Sequence, residues 1–123
     1  MNTKLKEAVR LFNKHEYFAC HEIIEDLWRE APSEDKMFYE ALIRLCTGFH
    51  LRLNRGGTQG SKNLLTQALM RLEDHRPSHL GIDVARLYSE IDSHNREDQG
   101  QQSAFGRLRT RWKAPRIHLK EKH

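Results

Sequence analysis

A chain of 123 residues and 14.6 kDa has room for one domain. Its mean hydropathy of −0.81 is low for a globular protein, yet Leu, Phe and Trp are too frequent for a wholly unfolded one. A membrane-spanning protein is excluded: the most apolar stretch, residues 41–53, is broken by Arg44, His50 and Arg52, far short of about 18 apolar residues in a row.

Lys4, Lys6 and Glu7 stand where a signal peptide needs an apolar core. Two cysteines without export features read as free thiols of a reducing compartment. The expectation is a cytoplasmic protein with no membrane partner. The net charge of +4 is unevenly placed. Residues 1–99 carry 14 Lys/Arg against 16 Asp/Glu, a net of −2, whereas residues 100–123 carry seven basic residues against Glu121 alone, a net of +6. The high isoelectric point therefore belongs to the tail and is weak evidence for nucleic-acid binding by the folded part.

Along the chain, apolar residues recur at helical spacing and no segment sustains a period of two. Thr3 can cap a first helix over residues 3–14, with Leu5, Ala8, Val9 and Phe12 on one face. His15 and Glu16 form a corner. A second helix over residues 17–30 carries Tyr17, Cys20, Ile23, Ile24, Leu27 and Trp28 inward, and Pro32 stops it. A third starts at Ser33 or Asp35 and reaches Asn54; its apolar arc is wide enough to make it the central helix. Asn54 and the glycines after it supply C-cap chemistry. A fourth helix reaches Asp74, and residues 77–81 read as a loop. Asp83 then caps a short fifth helix through Ser93. Residues 94–104 lack any apolar period. The reading is an all-α, single-domain bundle of about five helices over residues 1–93, followed by a polar linker and an irregular basic tail over residues 94–123.

The segment richest in chemistry is His21-Glu22-Ile23-Ile24-Glu25, followed by Trp28 and Arg29. His21, Glu25 and Trp28 lie at i, i+4 and i+7, on one flank of the second helix. A His and a carboxylate so spaced can bind one metal ion or each other. If the second and third helices run antiparallel, His50 can face the same seam. Two roles follow. In the bland one, the histidines and Glu22 or Glu25 form a structural network, because buried polar groups are costly unless paired. In the sharper one, His21, Glu25 and His50 hold a divalent metal, with Glu22 as general base of a hydrolase. The string is not the zinc-protease pattern, since Glu25 stands where the second histidine would be. Were the network buried, replacing Glu25 would cost about 1–3 kcal/mol and His50→Leu would be tolerated better. Cys20 and Cys46 sit on apolar arcs as buried thiols, a redox pair being the lesser alternative.

Residues 8–92 contain FNKHEYFACHEIIEDLWRE, FYEALIRLCTGFHLRLNRGG and GSKNLLTQALMRLE. These blocks resemble the small bacterial and archaeal proteins called the domain of unknown function 309 family. The resemblance implies an all-α fold and no established activity. Its polar signature falls on His21, Glu22, Glu25 and Trp28, then on His50 and Asn54. Glu40, Ala41 and Arg44 stand here in place of the family's usual Gln, Gly and Gln.

The functional expectation is a binding or scaffold domain with a homodimer as candidate assembly. The alternatives are the metal-dependent hydrolase and weak nucleic-acid contact through residues 107–122. Pro115, Ile117 and Leu119 suggest that residues 112–119 dock on the bundle as a strap, leaving the preceding arginines exposed.

Overall fold

The computed structural model describes residues 2–54, 59–97 and 114–120. The chain runs α1 (Thr3–Asn13), α2 (Tyr17–Glu30), α3 (Ser33–Phe49), a π-helical turn (His50–Asn54), α4 (Gln59–Glu73), a hairpin of β1 (Ser78–His79) and β2 (Ile82–Asp83), and α5 (Val84–Glu97). Among the described residues the fold is all-α apart from that hairpin, as the helical periodicity predicts.

Local chemistry sets most boundaries. Asn2, rather than Thr3, caps α1: its Oδ1 accepts from the amides of Lys4 at 2.7 Å and Leu5 at 3.3 Å. At the corner, His15 takes a left-handed backbone with φ of 64°, which turns the chain into α2. Asp83 Oδ1 accepts from Arg86 N at 3.1 Å, capping α5 as expected. Two boundaries differ from the sequence reading. Helix α5 continues to Glu97, because His94 is buried against the π turn, where its Nδ1 lies 3.2 Å from Arg52 Nη1. The segment expected as a plain loop contains β1 and β2, paired Ser78 to Asp83 and His79 to Ile82. Leu80 and Gly81 both take positive φ, 50° and 83°, the two-residue turn whose twist matches a tight hairpin. The glycine-rich turn after Asn54 lies outside the described residues.

Successive helices pack on one another, with α3 between α2 and α4, α1 on α2 and α5 on α4. Phe12, Tyr17 and Phe49 join α1, α2 and α3 through rings 5.2 to 6.0 Å apart. Each buried side chain of this size contributes about 1.5–3 kcal/mol. Gly48 lets α3 approach α4: a Cβ there would lie 2.7 Å from Leu65 Cδ2. Residues 114–120 lie alongside the hairpin with Ala114, Pro115 and Ile117 buried. Asp83 N donates to His118 O, and Lys120 N to Gly81 O, both at 2.8 Å. The arginines and Trp112 before Ala114 fall outside the described residues.

Candidate functional site: the α2–α3 seam

The first turns of α2 lie beside the last turn of α3, so the two helices run antiparallel there. Between them is a half-open cavity of about 210 Å³ lined by Tyr17, Phe18, His21, Cys46, Thr47 and His50. The π turn begins at His50, and the extra residue per turn alters where the side chains after Phe49 point. Thr47 Oγ1 donates back to Ile43 O at 3.1 Å. Phe18 stands at the rim, 66% exposed, whereas its neighbour Tyr17 is buried. Both histidines singled out in the sequence therefore reach one cavity, across the seam.

The carboxylates do not join them. Glu22 is exposed. Glu25 accepts from Arg29 Nη2 at 2.7 Å along its own helix, and its nearer oxygen is 3.8 Å from His21 Nδ1, too far for a hydrogen bond. Both side chains are half-buried, His21 29% and Glu25 39% exposed. The expected buried His/Glu network is thus a surface ion pair on α2 beside a pair of cavity histidines. The physical reason is the i+4 arginine: a planar guanidinium competes better for a solvated carboxylate than an imidazole does. Among the described residues no three His, Cys, Asp or Glu side chains converge as a metal-binding group. Of the three candidate ligands, His21 and His50 line the cavity and Glu25 does not.

Trp28 packs partly buried against the core, with Lys36 Nζ 4.5 Å above its ring and donating to Trp28 O at 2.8 Å. It is a packing residue with a cation on its face. For Asn54 only the backbone, at the end of the π turn, is described.

Apolar and thiol contacts hold the seam. Cys20 and Cys46 are buried, 2% and 1% exposed, with their sulfurs 3.3 Å apart. Burial and the hydrogen bond to Cys20 push the Cys46 thiol well above its ordinary range, the hydrogen bond being the larger effect. The sequence shows both thiols on apolar arcs but carries no signal that they touch, since 26 residues separate them. Nor does the sequence mark Phe18 as lining this cavity, since it lies off the apolar arc of α2.

A second cavity of about 550 Å³ lies between α1, the hairpin and the strap, lined in part by Lys6, Tyr39, Leu80, Leu119 and Lys120. Near it, Asp35 holds His79 at 2.8 Å. No helix among the described residues is long and apolar enough to cross a membrane.

Comparison with known proteins finds relatives of this chain. An uncharacterized protein of Aquifex aeolicus strain VF5 is 29% identical over 89 residues, which cover 72% of this chain and 26% of that protein. The uncharacterized protein YpuF of Bacillus subtilis strain 168 is 35% identical over 82 residues, covering 63% of this chain and 46% of YpuF. The chain thus spans less than half the length of either relative. No solved structure matches it. The family model for the domain of unknown function DUF309 matches residues 5–64, which hold α1, α2, α3, the π turn and the start of α4. Over those residues the chain is similar to the domain of unknown function 309 family.

Proposed function

We propose that the protein is a binding or scaffold domain whose recognition face is the α2–α3 seam, and that a second copy of the chain occupies this face. The observation that carries the reading is the pairing of an exposed Phe18 with the cavity it rims. Small-molecule sites usually enclose about 300–1,000 Å³, and this cavity of about 210 Å³ falls below that range. It suits one side chain of a partner, and buried aromatic anchors in such pockets carry much of the energy of protein interfaces. A knob beside a hole is self-complementary: under a two-fold axis, Phe18 of each copy enters the cavity of the other. His21, His50 and Thr47 line the walls with polar groups, while Tyr17 and Phe18 supply apolar surface.

Sedimentation of the purified chain over a wide concentration range tests this. A monomer–dimer equilibrium that Phe18→Glu shifts fully to monomer, with helical content unchanged, is expected. A strict monomer at the highest attainable concentration overturns the reading.

A further inference from the structure

The contact between Cys20 and Cys46 lies beside the cavity proposed for recognition, and its geometry carries a second inference, which concerns the monomer with that cavity unfilled. The two thiols come from different helices, one on α2 and one on α3. Their sulfurs lie 3.3 Å apart, about 1.2 Å more than a disulfide bond length of about 2.05 Å, a gap within reach of small side-chain rotations. They are not equivalent. Cys46 lines the half-open cavity between His21 and His50, whereas Cys20 lies behind it and does not line the cavity. Both sulfurs are buried, but Cys46 borders the cavity and Cys20 does not, so a small reactant entering from the cavity meets Cys46 first.

We propose that Cys20 and Cys46 form a two-electron redox site, with Cys46 as the sulfur that attacks a small hydroperoxide and Cys20 as the sulfur that resolves the product into a disulfide between α2 and α3. The first step takes the Cys46 thiol and hydrogen peroxide to a Cys46 sulfenic acid and one water; sulfur is oxidised and the peroxide O–O bond breaks. In the second, Cys20 sulfur attacks Cys46 sulfur, the S–O bond breaks, and the hydroxyl leaves as a second water with the Cys20 proton. The net change is two thiols and one peroxide to one disulfide and two waters. A low-molecular-weight thiol returns the pair by exchange: two of its molecules are oxidised to their own disulfide as both protein thiols are restored.

The environment makes the first step slow and the second selective. Burial and the hydrogen bond to Cys20 keep Cys46 protonated, so little thiolate is present at neutral pH. The other titratable groups that line the cavity are Tyr17 and His21 on α2 and His50 on the π turn. Once a sulfenic acid forms, Cys20 is already in contact with it, and the disulfide forms before a second peroxide arrives.

The chain has two cysteines, so its products are few and distinct. The 123-residue chain is treated with hydrogen peroxide and followed by intact mass, thiol titration under denaturing conditions and a non-reducing gel. The expected product is a monomer lacking two hydrogen atoms, with both thiols lost together and both restored by dithiothreitol. Cys20→Ser should accumulate one or more oxygens on Cys46, and Cys46→Ser should leave Cys20 at least tenfold less reactive than Cys46 is in the intact protein. A wild-type product carrying two or three oxygens on Cys46 beside a free Cys20 thiol overturns the proposal. So does a covalent dimer, or persistence of both thiols under conditions that oxidise an unfolded control. Equal reactivity of Cys20 in Cys46→Ser overturns the assigned order of attack.

Discussion

Asn13 and Ile117, 104 residues apart, exchange two hydrogen bonds: Asn13 Nδ2 donates to Ile117 O at 3.0 Å, and Ile117 N donates to Asn13 Oδ1 at 2.7 Å. The carboxamide at the last turn of α1 thereby acts as one more strand residue and ends the search of residues 114–120 for a backbone partner. On the hairpin side, Leu119 bridges Ile82. On α5, Glu90 reaches the same segment, its Oε2 lying 3.1 Å from His118 Nε2 and its Oε1 accepting from Arg116 N. One strap thus ties the first helix, the hairpin and the last helix together.

Removing the Asn13 side chain leaves a donor and an acceptor of Ile117 part-buried and unpaired. Asn13→Ala should therefore cost about 1–3 kcal/mol, and Asn13→Asp, which keeps only the acceptor, should cost less. Truncation before Ala114 should cost more than either, because it also exposes the surface that Ile117 covers. Urea melts of the three variants check the order. Equal stability of the truncated and full chains would show that the strap contributes nothing.

A different outcome is expected on α2. The His21–Glu25–Arg29 set is partly exposed, with Arg29 58% accessible, and surface ion pairs of this kind contribute roughly 0–1 kcal/mol. Glu25→Ala should therefore lower stability by less than about 1 kcal/mol, against the 1–3 kcal/mol that a buried network would lose. A larger loss in a urea melt would mean that Glu25 has a second, buried partner.

Helix periodicity made the five helices legible, and α2 begins and ends where its apolar arc and Pro32 place it. The central position of α3 followed from the width of its apolar arc. His21 and His50 were legible as seam residues because antiparallel packing brings the start of one helix to the end of the next. What stayed hidden depends on distance along the chain or on competition between partners. Nothing local in the sequence tells Glu25 to prefer Arg29 over His21, Cys20 to meet Cys46, or Asn13 to hold Ile117. The hairpin was hidden for another reason: Leu80 at positive φ is an uncommon turn residue, and the sequence around it lacks the usual Asn-Gly signal.

Gly48 gives a packing test. A methyl group there meets Leu65 Cδ2 at 2.7 Å and Cγ at 2.9 Å, and Leu65 is fully buried, so it has no open space to rotate into. Replacing Gly by Ala within a helix gains about 1 kcal/mol of propensity, while overpacking a core costs about 1–3 kcal/mol. The clash should win, with Gly48→Ala less stable by up to about 2 kcal/mol. A Gly48→Ala, Leu65→Ala double variant should recover part of what the two single changes lose when their effects are summed. A stabilised Gly48→Ala would show that α3 and α4 can separate freely.

The alkaline limb of stability is set by groups that resist ionisation in the fold. Burial, and secondarily the carboxylate of Asp35, raise the Tyr39 phenol above its ordinary value of 10.0. The Cys46 thiol is raised well above 9.0 by its hydrogen bond to Cys20 and by burial. For each, the unfolded chain releases its proton at a lower pH than the folded protein does. Their contribution is complete below the unfolded value and is lost as pH rises through the folded one. Stability should thus begin to fall above about pH 9 through Cys46 and fall further above about pH 10 through Tyr39. Tyr39→Phe should flatten the second part of that slope and leave the first intact, whereas Cys46→Ala should do the reverse. Urea melts at a series of pH values from neutral to strongly alkaline measure both slopes. A wild-type slope that neither variant changes would place the alkaline sensitivity elsewhere in the chain.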